Sequence, residues 1–527
     1  MKKLLLTNFM LICMALAGFS QNTISNSFFD HVNYRGAFGS NDDWTAGWAN
    51  WDCQNTAYGT PDVTVEGELL ASTTWTANHV YLIKGFYYVR SGVTLTIEPG
   101  TIIRGDKDTK GSLIIERGAQ LMAIGTLSQP IVFTSNFTPG NRGYGDWGGV
   151  ILCGKAIINP AGGVATIEGG PTSQYGGTDN NDNSGSLKFV RIEFPGIPFI
   201  PDKEINGLTF GGVGQSTQID YIQVSYSGDD SYEWFGGMVN CKHLIAYRGW
   251  DDDFDTDFGF SGMLQFCVSL RDKDIADPGS GSNGFESDND ATGSTNSPYT
   301  SVIMANMSVF GPKYDVSTAI NSNFKRAMHL RRNTRLSTYN SIFSGWPTGL
   351  FIDGTASQGN ATNGDMKLQH CVLSGMGSFF ASSFERDFFK TATFANDTLA
   401  TNDLLMVTDP FNLSQPNFLL KAESKLNLGS IWDNTGLRYD QKKVFAATVY
   451  PNPVSKNAII NLNLDKSQNV TIALYDILGN KLATIAHKEF SAGVNEISYD
   501  ASSLPKGLYF VRISDGVKNS AVKMLVK

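Results

Sequence analysis

The sequence predicts an all-β protein: a parallel β-helix, a solenoid of short strands, followed by a small antiparallel Ig-like β-sandwich. Three observations carry this. Apolar, strand-sized segments recur between residues 80 and 373. Polar turns rich in Gly, Asn and Asp separate them, so each coil covers the apolar face of the one before. From about residue 445 the pattern changes to short alternating strands with turn signals every roughly eight to twelve residues. Composition agrees, since 55 of 527 residues are Gly and only 17% are charged. A chain of this length exceeds one ordinary core, whereas a solenoid core grows along one axis.

Residues 1–20 read as a secretory signal peptide. Lys2 and Lys3 precede an apolar run, Leu4–Ala17, and small residues end at Ser20. The mature chain then holds no apolar run long enough to span a bilayer. The net charge of −9 becomes more negative once the two lysines leave, which argues against nucleic acid as a partner. Residues 21–70, with Trp44, Trp48 and Trp51, read as an N-terminal cap folded over one end of the solenoid. The five cysteines left, Cys53, Cys153, Cys241, Cys267 and Cys371, show no metal spacing and read as small buried hydrophobes.

The β-helix is expected over 71–380. Leu95-Thr96-Ile97, Leu113-Ile114-Ile115, Ile131-Val132-Phe133 and Val150-Ile151-Leu152 recur at 18, 18 and 19 residues. Pro99-Gly100 supplies a corner between strands. The run Leu95-Thr96-Ile97-Glu98-Pro99-Gly100-Thr101, with Gly148-Gly149-Val150-Ile151-Leu152, resembles secreted β-helix proteins of the pectin-lyase-like superfamily of Bacteroidetes. The resemblance covers roughly residues 70–380 and implies a right-handed parallel β-helix. It does not imply a lyase, because that superfamily spans enzymes, adhesins and proteins of unknown activity. Residues 154–186 and 272–300 read as polar excursions. Ser301–Phe310, Leu336–Phe343 and Leu368–Leu373 read as further coils, and 381–440 as a cap or linker.

Within the helix, Ile219–Arg271 repeats at 23 residues. Tyr221-Ile222-Gln223-Val224 falls on Leu244-Ile245-Ala246-Tyr247 and then on Cys267-Val268-Ser269-Leu270, and Asp229-Asp230 falls on Asp252-Asp253. In that register Ile222, Val224, Ile245, Tyr247, Val268 and Leu270 face inward, while Ser225, Arg248 and Arg271 face outward. The turns form an acidic row: Asp229, Asp230, Asp251, Asp252, Asp253, Asp255 and Asp257. Alternating Asp253, Asp255 and Asp257 have the spacing of an oxygen-ligand loop for Ca²⁺, although Phe258 stands where an EF-hand needs Gly. A row of solvated turn aspartates explains the pattern equally well. Arg248, Arg271 and Lys273 are the cations available as a catalytic base in a Ca²⁺-dependent lyase, but ion pairing with the row is the favoured account of them. Lys325-Arg326, Arg331-Arg332 and Arg335 read as a second basic patch on a solvated surface. Tyr232, Trp234, Trp250 and Trp346 are candidates to stack on sugars.

The C-terminal block carries Tyr450-Pro451-Asn452-Pro453, Val470-Thr471-Ile472-Ala473-Leu474-Tyr475-Asp476-Ile477-Leu478-Gly479 and Leu504-Pro505-Lys506-Gly507-Leu508-Tyr509-Phe510-Val511-Arg512. It resembles, over 445–527, the type A C-terminal sorting domain of type IX secretion cargo. That resemblance implies the type IX secretion machinery as a partner and a secreted or outer cell-surface location. Two functions follow. The favoured one is non-catalytic binding of glycan or another extracellular partner, and the alternative is a Ca²⁺-dependent polysaccharide lyase or glycosidase.

Overall fold

The computed structural model describes residues 26–200, 203–432, 446–464, 466–476, 480–515 and 519–527, so the expected leader lies outside it. Parallel strands stack in three ladders that enclose one apolar core. The first ladder runs through Thr73–Trp75, Thr94–Ile97 and Gln120–Ile124. The second takes the first half of Val80–Val89, then Ile102–Gly105 and Ile131–Ser135. The third takes the second half of Val80–Val89, then Ser112–Ile115, Val150–Cys153 and Leu208–Val213. From Gly185–Glu193 through Ile303–Phe310, one long strand per coil serves both of the first two ladders, which separate again at Ser337–Tyr339 and Ile342–Ser344. These long strands bend at a residue in the left-handed region, with φ of 51° at Phe189, 55° at Tyr221, 50° at His243 and 56° at Phe266. The four rings stack outside the corner, their centroids 4.5, 4.2 and 5.3 Å apart in turn.

Both sequence periodicities need correction. Leu95 pairs with Leu121, Ile103 with Phe133 and Leu113 with Val150. The 18-residue recurrence therefore steps between different faces, not from one coil to the next on the same face. The 23-residue register holds between Ile245 and Val268, but Ile222 pairs with Leu244, one residue short of it. The offset is 22 on both sides of the corner in this coil and 23 in the next, so the earlier coil is one residue shorter. Tyr221 falls between the pairs Asp220–Lys242 and Ile222–Leu244 and takes no part in the in–out alternation. Ile222 and Val224 do face the core, joined by Leu244, Ala246 and Cys267. Ile245, Tyr247, Val268 and Leu270 face outward and lie buried in a second apolar layer.

That layer explains the N-terminal aromatics. Residues 26–59 do not cap an end but run as a strap along the flank, from the late coils back to the early ones. The Gly36 N–H donates to Asn340 O at 2.6 Å, and Ala37 N–H to Ser308 Oγ at 2.9 Å. Further along, Tyr58 donates to Glu193 at 2.7 Å and Arg104 donates to Gly59 O at 3.1 Å. Phe38, Trp44 and Trp48 pack on the outward Ile245 and Val268, and the hairpin of Val407–Asp409 with Asn417–Leu420 covers the same layer. Strand Val63–Leu69 pairs with Val80–Val89, so the helix begins inside the segment expected to be cap. Its last ladder strand is Asp397–Leu399. Gln223 clamps the strap at both backbone groups of Asn50, accepting from N–H at 2.8 Å and donating to C=O at 2.9 Å. Gln223→Ala is expected to cost about 1–3 kcal/mol by leaving those groups unpaired. A lowered urea midpoint with faster proteolysis inside 26–59 is the readout, and unaltered proteolysis would refute the clamp.

Residues 154–186 leave the helix as expected and return to it. Their hairpin, Ala165–Thr166 with Gln174–Tyr175, lays Ile167 and Tyr175 over Ile114, Ile151 and Phe235. Cys53, Cys153, Cys241, Cys267 and Cys371 are buried free thiols. The C-terminal block is the expected sandwich, with a three-stranded and a four-stranded antiparallel sheet around a core of its own.

Candidate functional site

The acidic residues stand on the third ladder. Tyr232–Gly237, Phe254–Asp257, Phe285–Ser287 and Arg326–Leu330 follow Leu208–Val213 in parallel register. Alternation sends Tyr232, Trp234, Phe254 and Phe285 into the core and leaves Glu233, Asp255, Glu286 and His329 as one outward column. Strands lie about 4.8 Å apart, so these groups approach their neighbours closely. The alternation of Asp253, Asp255 and Asp257 is thus that of a strand, not of a loop wrapped around one ion. Asp253 turns away from the other two. It meets Arg271 at 2.7 Å with both side chains fully buried.

At the corner before this column the register places Asp230 beside Asp252, 22 residues on, where Asp230 Oδ1 accepts the Asp252 N–H at 2.8 Å. Carboxylate oxygens of Asp229, Asp230 and Asp251 lie within 4.8 Å of one another, and so do those of Asp230, Glu233 and Asp255. Burial pushes all of these carboxyls well above the usual range, and neighbouring charges push further. Asp252 is pushed up to about 8, by burial first and by the Glu286 charge second. Asp251 Oδ1 and Asp255 Oδ1 are buried without a hydrogen-bond partner.

Apart from Arg271 at Asp253, cations reach only the far half of the row. Arg331 pairs with Glu286 and with Asp288 at 2.9 Å, Arg332 with Asp288 at 2.7 Å, and His329 lies 3.1 Å from Glu286. Part of the supposed solvated basic patch is therefore the counter-charge of the acidic row. Among the described residues, no Lys, Arg or His stands in ion-pair contact with Asp229, Asp230, Glu233, Asp251 or Asp255. Beside this half opens a cleft of about 690 Å³, lined by Glu204, Asp229, Asp251, Asp277 and Lys107, with Tyr144 and Trp250 in contact 4.3 Å apart.

The cations named from the sequence do not gather over the row. Arg271 is sealed in the core, its guanidinium 5.2 Å from the Phe324 ring. Arg248 stands outward but in a different cleft, paired with Asp272. Lys273 pairs with the adjacent Asp274 at 2.6 Å. Of the aromatic candidates, Tyr232, Trp234 and Trp346 are fully buried, leaving Trp250 on a surface. Sequence reasoning missed Glu233 and Tyr144. Glu233 could have been found as the outward residue between inward Tyr232 and Trp234.

Residues 67–404 match the family model of the pectate-lyase-like β-helix domain, and residues 448–527 match the secretion-system C-terminal sorting domain. The tail is the type IX sorting domain that the sequence leads one to expect, and it marks a secreted or cell-surface protein. No helix among the described residues is long and apolar enough to cross a membrane. No curated protein matches the chain. Among solved structures, dimeric latent PorU from Porphyromonas gingivalis is 22% identical over 15% of this chain, with a TM-score of 0.14, and the chain spans 9% of it. The enzymatically active domain of bacteriophage CBA120 tailspike protein 2 is 9% identical over 85% of this chain and 72% of its own, at TM-score 0.22. The catalytic domain of a GH87 alpha-1,3-glucanase, in complex with nigerose, is 11% identical over 66% and 70%, at 0.24.

Proposed function

Because the chain belongs to the pectate-lyase-like β-helix domain family and ends in a type IX sorting domain, we propose that it binds extracellular glycan in its acidic cleft with a divalent cation. The observation that carries this reading is the pair of carboxylate trios with buried, unpartnered oxygens beside a solvent-facing Tyr144–Trp250 pair. All-oxygen donors suit a hard cation such as Ca²⁺. Asp229, Asp230 and Asp251 would hold one ion, and Glu233 and Asp255 with Asp230 a second. The cation offsets the mutual repulsion of the carboxylates and offers open positions to sugar hydroxyls. Tyr144 and Trp250 supply a stacking face.

Binding is favoured over lyase chemistry because Arg248, Arg271 and Lys273 are each engaged by another carboxylate away from the trios. It is favoured over glycosidase chemistry because each trio forms a cation-sized cage. Carboxyls that flank a scissile glycosidic bond stand roughly 5–9.5 Å apart. The test is retention of the full chain on immobilised neutral and acidic polysaccharides, with Ca²⁺ or with chelator. Chelation is expected to release the bound glycan, and Trp250→Ala to weaken it about ten-fold. Retention indifferent to both changes refutes the reading. Unsaturated sugar products, or new reducing ends, would replace it with catalysis.

A further inference from the structure

A second cleft lies against the first and carries the opposite charge. It has a volume of about 510 Å³, and its walls include Trp51, Gln54, Arg142, Tyr144, Tyr226 and Arg248. Tyr144, 42% exposed, lines both clefts. The fold makes this cleft at the next corner of the coil, where Phe194, Tyr226 and Arg248 all take positive φ. Phe194 and Tyr226 stack at 5.2 Å, and the Arg248 guanidinium continues the column 4.9 Å from the Tyr226 ring. The strap supplies the facing wall through Trp51 and Gln54.

The two arginines are held in place but not saturated. Arg248 is anchored by Asp272, with its Nη1 3.5 Å from the Tyr247 hydroxyl, and its Nε has no partner. Its side chain is 24% exposed. Arg142 is 5% exposed and donates to the carbonyls of Phe137, Cys53 and Thr56, which leaves Nη2 without an acceptor. The carboxylate in the cleft wall belongs to Asp52, which is exposed and accepts from Asn55 at 2.7 Å. A planar guanidinium with unmet donors, set beside aromatic rings, is matched by a planar or tetrahedral oxyanion on a sugar ring.

We propose that this second cleft is a subsite for a sugar unit bearing a carboxylate or sulfate, held by Arg248 with Arg142 behind it. Trp51 and Tyr144 provide the stacking faces, and the Gln54 side chain is placed to bond ring hydroxyls. A chain passing over Tyr144 would set its acidic unit here and a neighbouring unit in the acidic cleft. The subsite does not depend on the cation reading of that cleft.

Calorimetric titration of the full chain with glucuronate, glucose 6-sulfate and glucose tests it. The wild type is expected to bind one or both anions at millimolar concentration or better, and glucose at least about ten-fold more weakly. Arg248→Gln is expected to lose that anion binding by about ten-fold or more. An unchanged melting temperature marks the variant as folded. If it is not folded, Arg248→Lys takes its place, keeping the charge toward Asp272 while losing the fork. Asp251→Asn addresses the acidic cleft alone and should keep glucuronate binding while losing the Ca²⁺-dependent glycan retention. No saturable binding of either anion, unchanged affinity in a folded Arg248 variant, or equal loss in Asp251→Asn overturns the proposal.

Discussion

Arg271→Met is expected to destabilise the β-helix domain by about 3–5 kcal/mol, the usual consequence of removing one partner of a buried pair. Arg271 and Asp253 have no exposed side-chain surface and meet at 2.7 Å. The guanidinium also donates to Trp250 O at 3.3 Å and lies beside the Phe324 and Trp346 rings, 5.2 and 5.9 Å from their centroids. Burial alone raises the Asp253 carboxyl, and Arg271 is the charge that opposes the rise. Without it Asp253 must take a proton or remain an uncompensated buried anion. The double change Arg271→Met with Asp253→Asn removes that anion and should recover most of the loss. Urea denaturation of the single and double variants reads the difference. A double variant no more stable than Arg271→Met would show that lost packing, not lost charge balance, is the cause.

The second large effect is on pH dependence. In chelated protein, stability should fall as pH rises from about 4 to about 8. Asp252 has a reference value of 3.8 and a folded value of about 8, so in this interval the folded state binds more protons than the unfolded chain. Its contribution is complete below 3.8 and lost as pH rises through about 8, at up to about 1.4 kcal/mol per pH unit. Asp229, Asp230, Glu233, Asp251 and Asp255 are shifted in the same direction and add to the slope. In the proposed reading Ca²⁺ takes the place of those protons. At roughly a hundred times its dissociation constant it should restore about 2.7 kcal/mol near pH 7.5 and less at pH 5, where protons compete. Melting temperatures across this range, with chelator and with Ca²⁺, decide the matter. A chelated protein that grows more stable toward pH 8 contradicts the carboxylate account. A Ca²⁺-independent melting temperature at pH 7.5 contradicts the cation.

Sequence patterns reached the fold class, the tail and the acidic row because each is local. Val470 to Leu474 alternates in and out as a strand should, and Asp251 to Asp257 is acidic wherever it folds. What they missed is non-local or breaks alternation. A coil one residue shorter than the 23-residue repeat moves the inward positions from Ile245 and Tyr247 to Leu244 and Ala246, so a fixed period reverses in and out there. The strap contacts join residues as far apart as Gly36 and Asn340, and no periodicity records such a pairing. The counter-charge of Glu286 arrives from Arg331, on a later coil. The cleft aromatics Tyr144 and Trp250 come from separate excursions and meet only in three dimensions.

The strap also decides where the β-helix domain can be held. His31 stacks on Trp432 at 5.0 Å, so the segment that enters the domain and the segment that leaves it meet beside the late coils. An anchor fixed to the chain beyond residue 432 therefore grips the solenoid at its late end. The early coils, which the strap reaches at Tyr58 and Gly59, are the part of the solenoid farthest from that grip.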